Sequence, residues 1–138
     1  MVIDDYDAAI ALWQQAEGIK LRDADSREGI ERYLFRNPGM SFVVENENEI
    51  IAAIMSGHDG RRGYLQKLAV SQSYRKKGIG GKLVGLCISA LKLEGIVKSH
   101  IHILSDNDLA KHFWYQQGWV ERIDISVYSY ANGIGDNT

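Results

Sequence analysis

One segment of this 138-residue sequence combines glycine with positive charge in a way that suits an anion. A predicted strand at residues 64–70 is followed by a loop that carries Arg75, Lys76, Lys77, Gly78, Gly80 and Gly81. An amphipathic helix begins in this loop, so its first backbone N–H groups have no partner inside the helix and its dipole adds partial positive charge. Glycine lets a pyrophosphate approach the backbone closely. The pattern therefore predicts a phosphate-binding cradle.

Two common nucleotide-binding motifs fit this segment poorly. A Walker A loop needs Gly-Lys followed by Ser or Thr, whereas Lys82 is followed by Leu83. The dinucleotide fingerprint needs a third small residue where Leu83 stands, and it places its glycines directly after the strand, whereas residues 71–77 intervene here. A nucleotide-phosphate binder is therefore disfavoured.

The segment resembles motif A of the GNAT acetyltransferases, whose signature is Arg/Gln-x-x-Gly-x-Gly/Ala. Residues 75–80 match that signature, and residues 68–70 match the strand end at which family members hold the pantetheine arm through backbone groups. A second family pattern, Asn-x-x-Ala-x-x-aromatic ending in Gly-aromatic, is matched by Asn107, Ala110, Phe113, Gly118 and Trp119. The resemblance covers nearly the whole chain, because the order of the predicted elements also agrees.

The resemblance implies an acetyl-CoA-dependent N-acetyltransferase (an acyltransferase) that needs no metal. It further implies that two parallel strands, here residues 64–70 and 99–104, splay apart and hold acetyl-pantetheine in the wedge between them. Its implied acetyl-CoA contacts are Leu68, Ala69, Val70, Arg75, Lys76, Lys77, Gly78, Ile79, Gly80, Gly81, Asn107 and Trp114. The non-catalytic alternative is an acyl-CoA-binding sensor or partner-binding domain.

The acid–base positions of the family are altered in this chain. Gln66 stands where many members carry a glutamate base, and Trp114 stands where many carry a tyrosine acid, with Tyr115 one place later. A shift of one residue rotates a helical side chain by about 100°, so Tyr115 does not inherit the role. Gln66 and Tyr115 are the only catalytic candidates. Without a carboxylate base, an amine of low pKa or a relaying water is the simplest arrangement.

The acceptor is expected to be a primary amine, either the N-terminal amine of a peptide or protein or an amine of a small molecule. We expect this amine to attack acetyl-CoA directly, without a covalent enzyme intermediate. Residues that could contact it lie between the first two helices and in the 58–63 turn: Arg22, Asp23, His58 and Arg61. Cys87 lies on an apolar helix face and is expected to be a buried thiol, and His100 with His102 does not suffice for a metal site.

The hydrophobic periodicity predicts an α/β (α+β) fold in one domain, residues 1–138, with 131–138 as a frayed tail. The family resemblance implies a mixed, mostly antiparallel sheet with one splayed parallel pair, about four flanking helices and a first strand that is short or missing. Helices are predicted at 8–16, from Asp25 to Leu34, at 79–91 and at 108–117. Gly18 ends the first of them, and an Asp25–Glu28 capping box opens the second. Strands are predicted at 42–44, 50–55, 64–70, 99–104 and 125–130.

Composition adds limits on the class of protein. A net charge of −2 gives no sign of nucleic acid or an anionic membrane as a partner. One cysteine allows no internal disulfide, and the N-terminus does not read as a signal peptide. We therefore expect a cytoplasmic protein that is a monomer or a homodimer.

Overall fold

The computed structural model describes residues 1–135. The elements in chain order are α1 (Tyr6–Gln15), α2 (Arg27–Arg36), β1 (Phe42–Asn46), β2 (Glu49–His58), β3 (Gly63–Val70), α3 (Ile79–Leu93), β4 (Ser99–Ile101) and α4 (Asp108–Gln116). Short 3-10 turns lie at Ile3–Asp5, Asp23–Asp25 and Gln72–Tyr74. None of the helices among these residues is long and apolar enough to cross a membrane.

The four strands form one sheet in the order β1-β2-β3-β4. The first two pairings are antiparallel and β3 pairs with β4 in parallel, which confirms the predicted mixed sheet with one parallel pair. Within the described residues, the 3-10 turn at Ile3–Asp5 stands where a strand before α1 was expected to be short or missing.

Helices cover both faces of the sheet and bury two apolar clusters. Helix α3 packs on one face, where Leu65 of β3 meets Leu83 and Leu91. Helices α1 and α2 pack on the other face, where Trp13 and Ile30 meet the sheet. Side chains of a strand alternate between faces, so one strand serves both clusters. Strand β3 therefore packs against helices on both faces of the sheet.

The predicted cap of the second helix is wrong by one residue. Ser26, not Asp25, is the N-cap of α2, and its hydroxyl accepts a 3.1 Å hydrogen bond from the N–H of Gly29. The Asp25 carboxylate instead accepts a 2.8 Å bond from the N–H of Arg22 and closes the preceding 3-10 turn. Both residue types cap helices well, so the sequence alone did not choose between them.

The predicted last strand, residues 125–130, is not present as a strand. Strand β4 is also shorter than the predicted 99–104, because its ladder with β3 ends at Ile101. A strand needs a hydrogen-bonding neighbour, and residues 125–130 have none in the part of the chain that is described. Residues 131–135 of the predicted frayed tail are exposed and irregular, whereas 136–138 lie outside the described residues.

Candidate active site

The two parallel strands separate partway along their length. Their ladder pairs Gly63 with Ser99, Tyr64 with His100 and Leu65 with Ile101. Strand β3 then continues to Val70 paired with β2 but not with β4. A β-bulge in β3 lies at the point of separation, where Lys67 has a φ of 54° and the register against β2 shifts. Bulges bend a strand and increase its twist. The wedge between β3 and β4 follows from this bend.

A pocket of about 270 Å³ opens at the wedge on the side of α1 and α2. Gln66, His102 and Tyr64 line it together with Gly18 and Ile19, which follow α1 in the chain. The Lys67 ammonium lies 3.4 Å from the Asp25 carboxylate and donates to the carbonyl of Lys20. Lys67, at the bulge, therefore also binds the segment between α1 and α2 beside the pocket.

The cationic loop lies beyond the end of β3. The Arg75 side chain folds back and donates from Nε to the carbonyl of Val70 at 3.0 Å, while the Lys77 ammonium lies 5.4 Å from the centre of the Tyr74 ring. Gly78 is the N-cap of α3, and its carbonyl accepts the N–H of Lys82. The N–H groups of residues 79–81 come before this first helical hydrogen bond and have no acceptor inside the helix. Three cationic side chains and the N-terminus of α3 are therefore close together on one surface.

The structure requires glycine at positions 78, 80 and 81 for different reasons. Gly78 has a φ of 80°, which other residues rarely adopt, and open space surrounds it. A Cβ at Gly80 would lie 3.2 Å from the Phe113 ring, and one at Gly81 would lie 3.2 Å from the Gln117 side chain. Gly80 and Gly81 thus allow the start of α3 to pack closely against the α4 end of the chain, a reason that the sequence did not indicate.

Asn107 joins the wedge to the segment that follows α1. Its Oδ1 caps α4 by accepting a 3.1 Å bond from the N–H of Ala110. Its Nδ2 occupies the space that a Cβ at Gly18 would need. Gly18, at a φ of 78°, is therefore required both by its backbone conformation and by this contact.

Two aromatic neighbours on α4 have opposite surroundings. Trp114 is only 5% exposed and packs edge-to-face on Phe113 and Trp119, with ring centroids 5.3 and 4.9 Å away. Tyr115 is 76% exposed and lines a second cleft that does not include Gln66. The two catalytic candidates thus line different clefts, and the predicted contact of Trp114 with acetyl-CoA stays a prediction.

The four acceptor candidates fall into two groups. Arg22 and Asp23 belong to the segment fastened over the wedge pocket, next to Asp25. His58 and Arg61 lie in the β2–β3 hairpin, where His58 Nδ1 accepts from the N–H of Gly60. The hairpin precedes β3 and the cationic loop follows it, so the length of β3, about 23 Å, separates them.

The hairpin is shaped by an aspartate. Asp59 Oδ1 accepts the N–H groups of both Arg61 and Arg62 at 2.8 Å. These backbone bonds lower the pKa of the Asp59 carboxyl. Hydrogen bonds within the turn therefore hold its conformation.

His102 is the wedge residue that the sequence reasoning missed. It directly follows Ile101, the last paired residue of β4, and lies 6.5 Å from Tyr64 between ring centroids. Its neighbour His100 has a lowered pKa, because partial burial and the positive charges of nearby Lys98 and Arg122 disfavour its cation. No cluster of metal-ligating residues occurs among residues 1–135. The only signal in the sequence was its place within the predicted strand at 99–104, because the end of the ladder at Ile101 is known from the structure alone.

Cys87 is buried in the core, as expected. Its Sγ lies 3.6 Å from the carbonyl of Met40, and burial raises the pKa of the thiol to about 11. A thiol that ionises with such difficulty is a poor nucleophile at neutral pH.

Comparison with known proteins agrees with this geometry. The model of the acetyltransferase (GNAT) family matches residues 6–119. An acetyltransferase of Pectobacterium atrosepticum is 33% identical over 105 residues, which cover 76% of this chain and 74% of that protein. The chain belongs to the GNAT family and is an acetyl-CoA-dependent acetyltransferase.

Two solved structures share the fold at low identity. The PaiA N-acetyltransferase of Thermoplasma acidophilum, in complex with coenzyme A, superposes with a TM-score of 0.72 at 18% identity, covering 84% of each chain. An aminoglycoside acetyltransferase from an uncultured soil sample, in complex with sisomicin, gives 0.73 at 19% identity, covering 96% of this chain and 93% of that one.

Proposed function

We propose that this chain transfers the acetyl group of acetyl-CoA to a primary amine by direct attack. The observation that carries the proposal is the end of the β3–β4 ladder at Leu65 and Ile101, which leaves the backbone of residues 66–70 facing a gap. That gap suits an amide-bearing arm, since unpaired strand groups bind such arms by hydrogen bonds. The loop at Arg75, Lys76 and Lys77 lies at its mouth and suits the pyrophosphate.

The donor supplies a thioester carbonyl. A bond forms between the amine nitrogen and the carbonyl carbon, the carbon–sulfur bond breaks, coenzyme A leaves as a thiolate, and the nitrogen gives up one proton to a base. The thiolate of a thiol with an ordinary pKa near about 8.5 is a good leaving group. The burial of Cys87 supports a mechanism without an acyl-enzyme.

The acceptor is proposed to be an amine of low pKa, either a peptide N-terminal amine or a small-molecule amine. Gln66 lines the wedge pocket where a carboxylate base would otherwise stand. At pH 7 an α-amine with a pKa near about 7.7 has roughly 400 times more neutral form than a lysine-type amine near about 10.4. A site without a carboxylate is therefore suited to the α-amine type.

This choice is tested with two peptides that differ only in which amine is free. At pH 7 we expect the peptide with a free N-terminus and a blocked lysine to be acetylated about 100-fold faster or more than its counterpart, as free-amine fractions dictate. Release of coenzyme A thiol reports the rate. Equal rates at pH 7 would contradict the proposal, and a small-amine panel serves as the comparison for the other acceptor class.

His102 is proposed as the group that takes the proton from the amine, directly or through water. Its ring lines the wedge pocket beside Gln66, and a ring nitrogen of a histidine can accept a proton from a positioned amine. Replacing His102 with Gln is expected to lower kcat by about 10- to 100-fold.

The matched control for that experiment is His112→Gln, on α4 outside the wedge pocket. It should keep the wild-type kcat. An unchanged kcat in His102→Gln would show that another group or solvent accepts the proton.

A further inference from the structure

The segment between α1 and α2 forms part of the wall of the wedge pocket. Gly18 and Ile19 line the pocket together with Gln66 of β3. Residues 19–22 are neither helix nor strand, so no ladder of backbone hydrogen bonds fixes their distance from β3. The position of this part of the wall therefore depends on side-chain contacts.

One ammonium group connects this segment to β3. Lys67 Nζ lies 3.4 Å from Oδ2 of Asp25 and donates a 3.3 Å hydrogen bond to the carbonyl of Lys20. The side chains of Lys67 and Asp25 are only 15% and 10% exposed, so salt screens their attraction much less than that of a surface pair. Lys67 therefore holds both ends of residues 20–25, which directly follow the pocket-lining part of the segment.

Asp25 is itself fixed by two further contacts. Its carboxylate accepts the N–H of Arg22 at 2.8 Å, and its carbonyl accepts the hydroxyl of Tyr6 on α1 at 2.7 Å. Lys67 thus binds a point that the segment and α1 already hold in place. What the ammonium adds is the connection to the strand that forms the wedge.

The β-bulge gives the Lys67 side chain its direction. Between the pairs Ala53–Ala69 and Met55–Gln66, two residues of β3 stand against one residue of β2. Lys67 is one of these two, and its φ of 54° is a conformation that glycine adopts more readily. Bulges re-aim side chains next to active sites. A lysine at this position supplies the side chain that reaches the segment.

We propose that Lys67 is a positioning residue for the amine acceptor. Its two contacts set how far Ile19 lies from Gln66, and thereby the width of the pocket. The ammonium is engaged by a carboxylate and a carbonyl, so Lys67 acts through the segment and not on the reacting atoms. This inference rests on the proposed function, because it takes the wedge pocket as the place where the amine binds.

Binding of the donor should not depend on this contact. The cationic loop at 75–81 lies beyond the end of β3, whereas Lys67 reaches toward the side of α1 and α2. The start of the segment is held separately, because Gly18 is in contact with Asn107. Loss of the ammonium should therefore release Ile19 and residues 20–25, and it should affect the acceptor but not acetyl-CoA.

The proposal is tested with Lys67→Met, which removes the ammonium but keeps a long side chain. The acceptor is the peptide with a free N-terminus and a blocked lysine, or the best amine of the small-amine panel. We expect the KM of the acceptor to rise about 10-fold or more, because small displacements of a positioning wall weaken binding strongly. The kcat, and the Kd of acetyl-CoA measured by calorimetry, should stay within about threefold.

Two further variants separate positioning from a general loss of stability. Asp25→Asn should raise the acceptor KM in the same way, and Lys67→Met/Asp25→Asn should raise it no more than the stronger single change, because both remove one contact. The double variant leaves no unpaired buried charge, so it decides the question if a single variant folds poorly. Lys67→Arg keeps the cation and should keep the KM within about threefold.

The matched control is Lys92→Met, which makes the same change of net charge at an exposed position at the end of α3. It should keep the wild-type KM and Kd. Additive effects of Lys67→Met and Asp25→Asn on KM, or an equal loss of acceptor and acetyl-CoA affinity, would overturn the proposal.

Amide hydrogen exchange of residues 19–25 gives a readout that needs no turnover. Exchange should be faster in Lys67→Met than in the wild type and in Lys92→Met, because the segment opens more often without its contact to β3. Unchanged exchange would overturn the proposal. A wild-type chain that acetylates neither the peptide nor the amine panel would contradict the proposed function instead, and the exchange rates would still decide whether Lys67 holds the segment.

Discussion

Replacing Lys76 and Lys77 with glutamate is expected to weaken acetyl-CoA binding by about 100-fold or more. A hydrogen bond to a charged group contributes about 1.5–3 kcal/mol, so losing two of them costs about 3 kcal/mol or more, and each 1.4 kcal/mol is a factor of ten in Kd. Both side chains are exposed, so the fold should not suffer. Calorimetric titration with acetyl-CoA and coenzyme A measures the change.

The control has the same change of net charge at another place. Arg32 on α2 and Lys92 at the end of α3 are also exposed, and the Arg32→Glu/Lys92→Glu variant should bind acetyl-CoA within about threefold of the wild type. If both double variants lose affinity equally, the effect comes from overall charge and not from the loop. NADH and ATP, titrated in parallel, should not bind.

Replacing Trp114 with alanine is expected to lower the free energy of unfolding by about 3–5 kcal/mol. The indole is only 5% exposed and is enclosed by the rings of Phe113 and Trp119, so truncation leaves a cavity in the core. For a chain of this length the thermal midpoint should fall by roughly 10–20 °C. Thermal and urea unfolding followed by circular dichroism measure the loss.

Tyr115→Ala is the natural comparison, because it removes a neighbouring aromatic ring from the exposed face of the same helix. Its free energy of unfolding should change by no more than about 0.5 kcal/mol. A stable Trp114→Ala protein that has lost turnover would instead assign Trp114 a contact with the acetyl donor, as the family resemblance implies.

Much of the fold could be predicted because the sequence carries local signals. The turns around Asn48 and Gly60 separate the strands, and the glycines at 95 and 118 adopt positive φ values just beyond α3 and α4, as helix-ending glycines do. The cationic loop was recognisable for the same reason. Three cations and a glycine that needs a left-handed backbone occur next to each other in the chain.

The parts that could not be predicted depend on distant contacts. Asp25, which could also have capped α2, instead accepts the N–H of Arg22 and forms an ion pair with Lys67 of β3. The segment at 125–130 has the composition of a strand but lacks a neighbour within the described chain. His102 belongs to the wedge only because the β3–β4 ladder ends one residue before it.

The packing of Gly80 on Phe113 and of Gly81 on Gln117 bears on how the enzyme can be engineered. The two motifs that identify the family, about thirty residues apart, meet in space at these contacts. The cationic loop is therefore not a portable module: grafted onto another scaffold without α4, it would lose the surface that fixes the direction of its helix. Changes at positions 80 and 113 should likewise be designed as a pair, since residues in contact do not act additively.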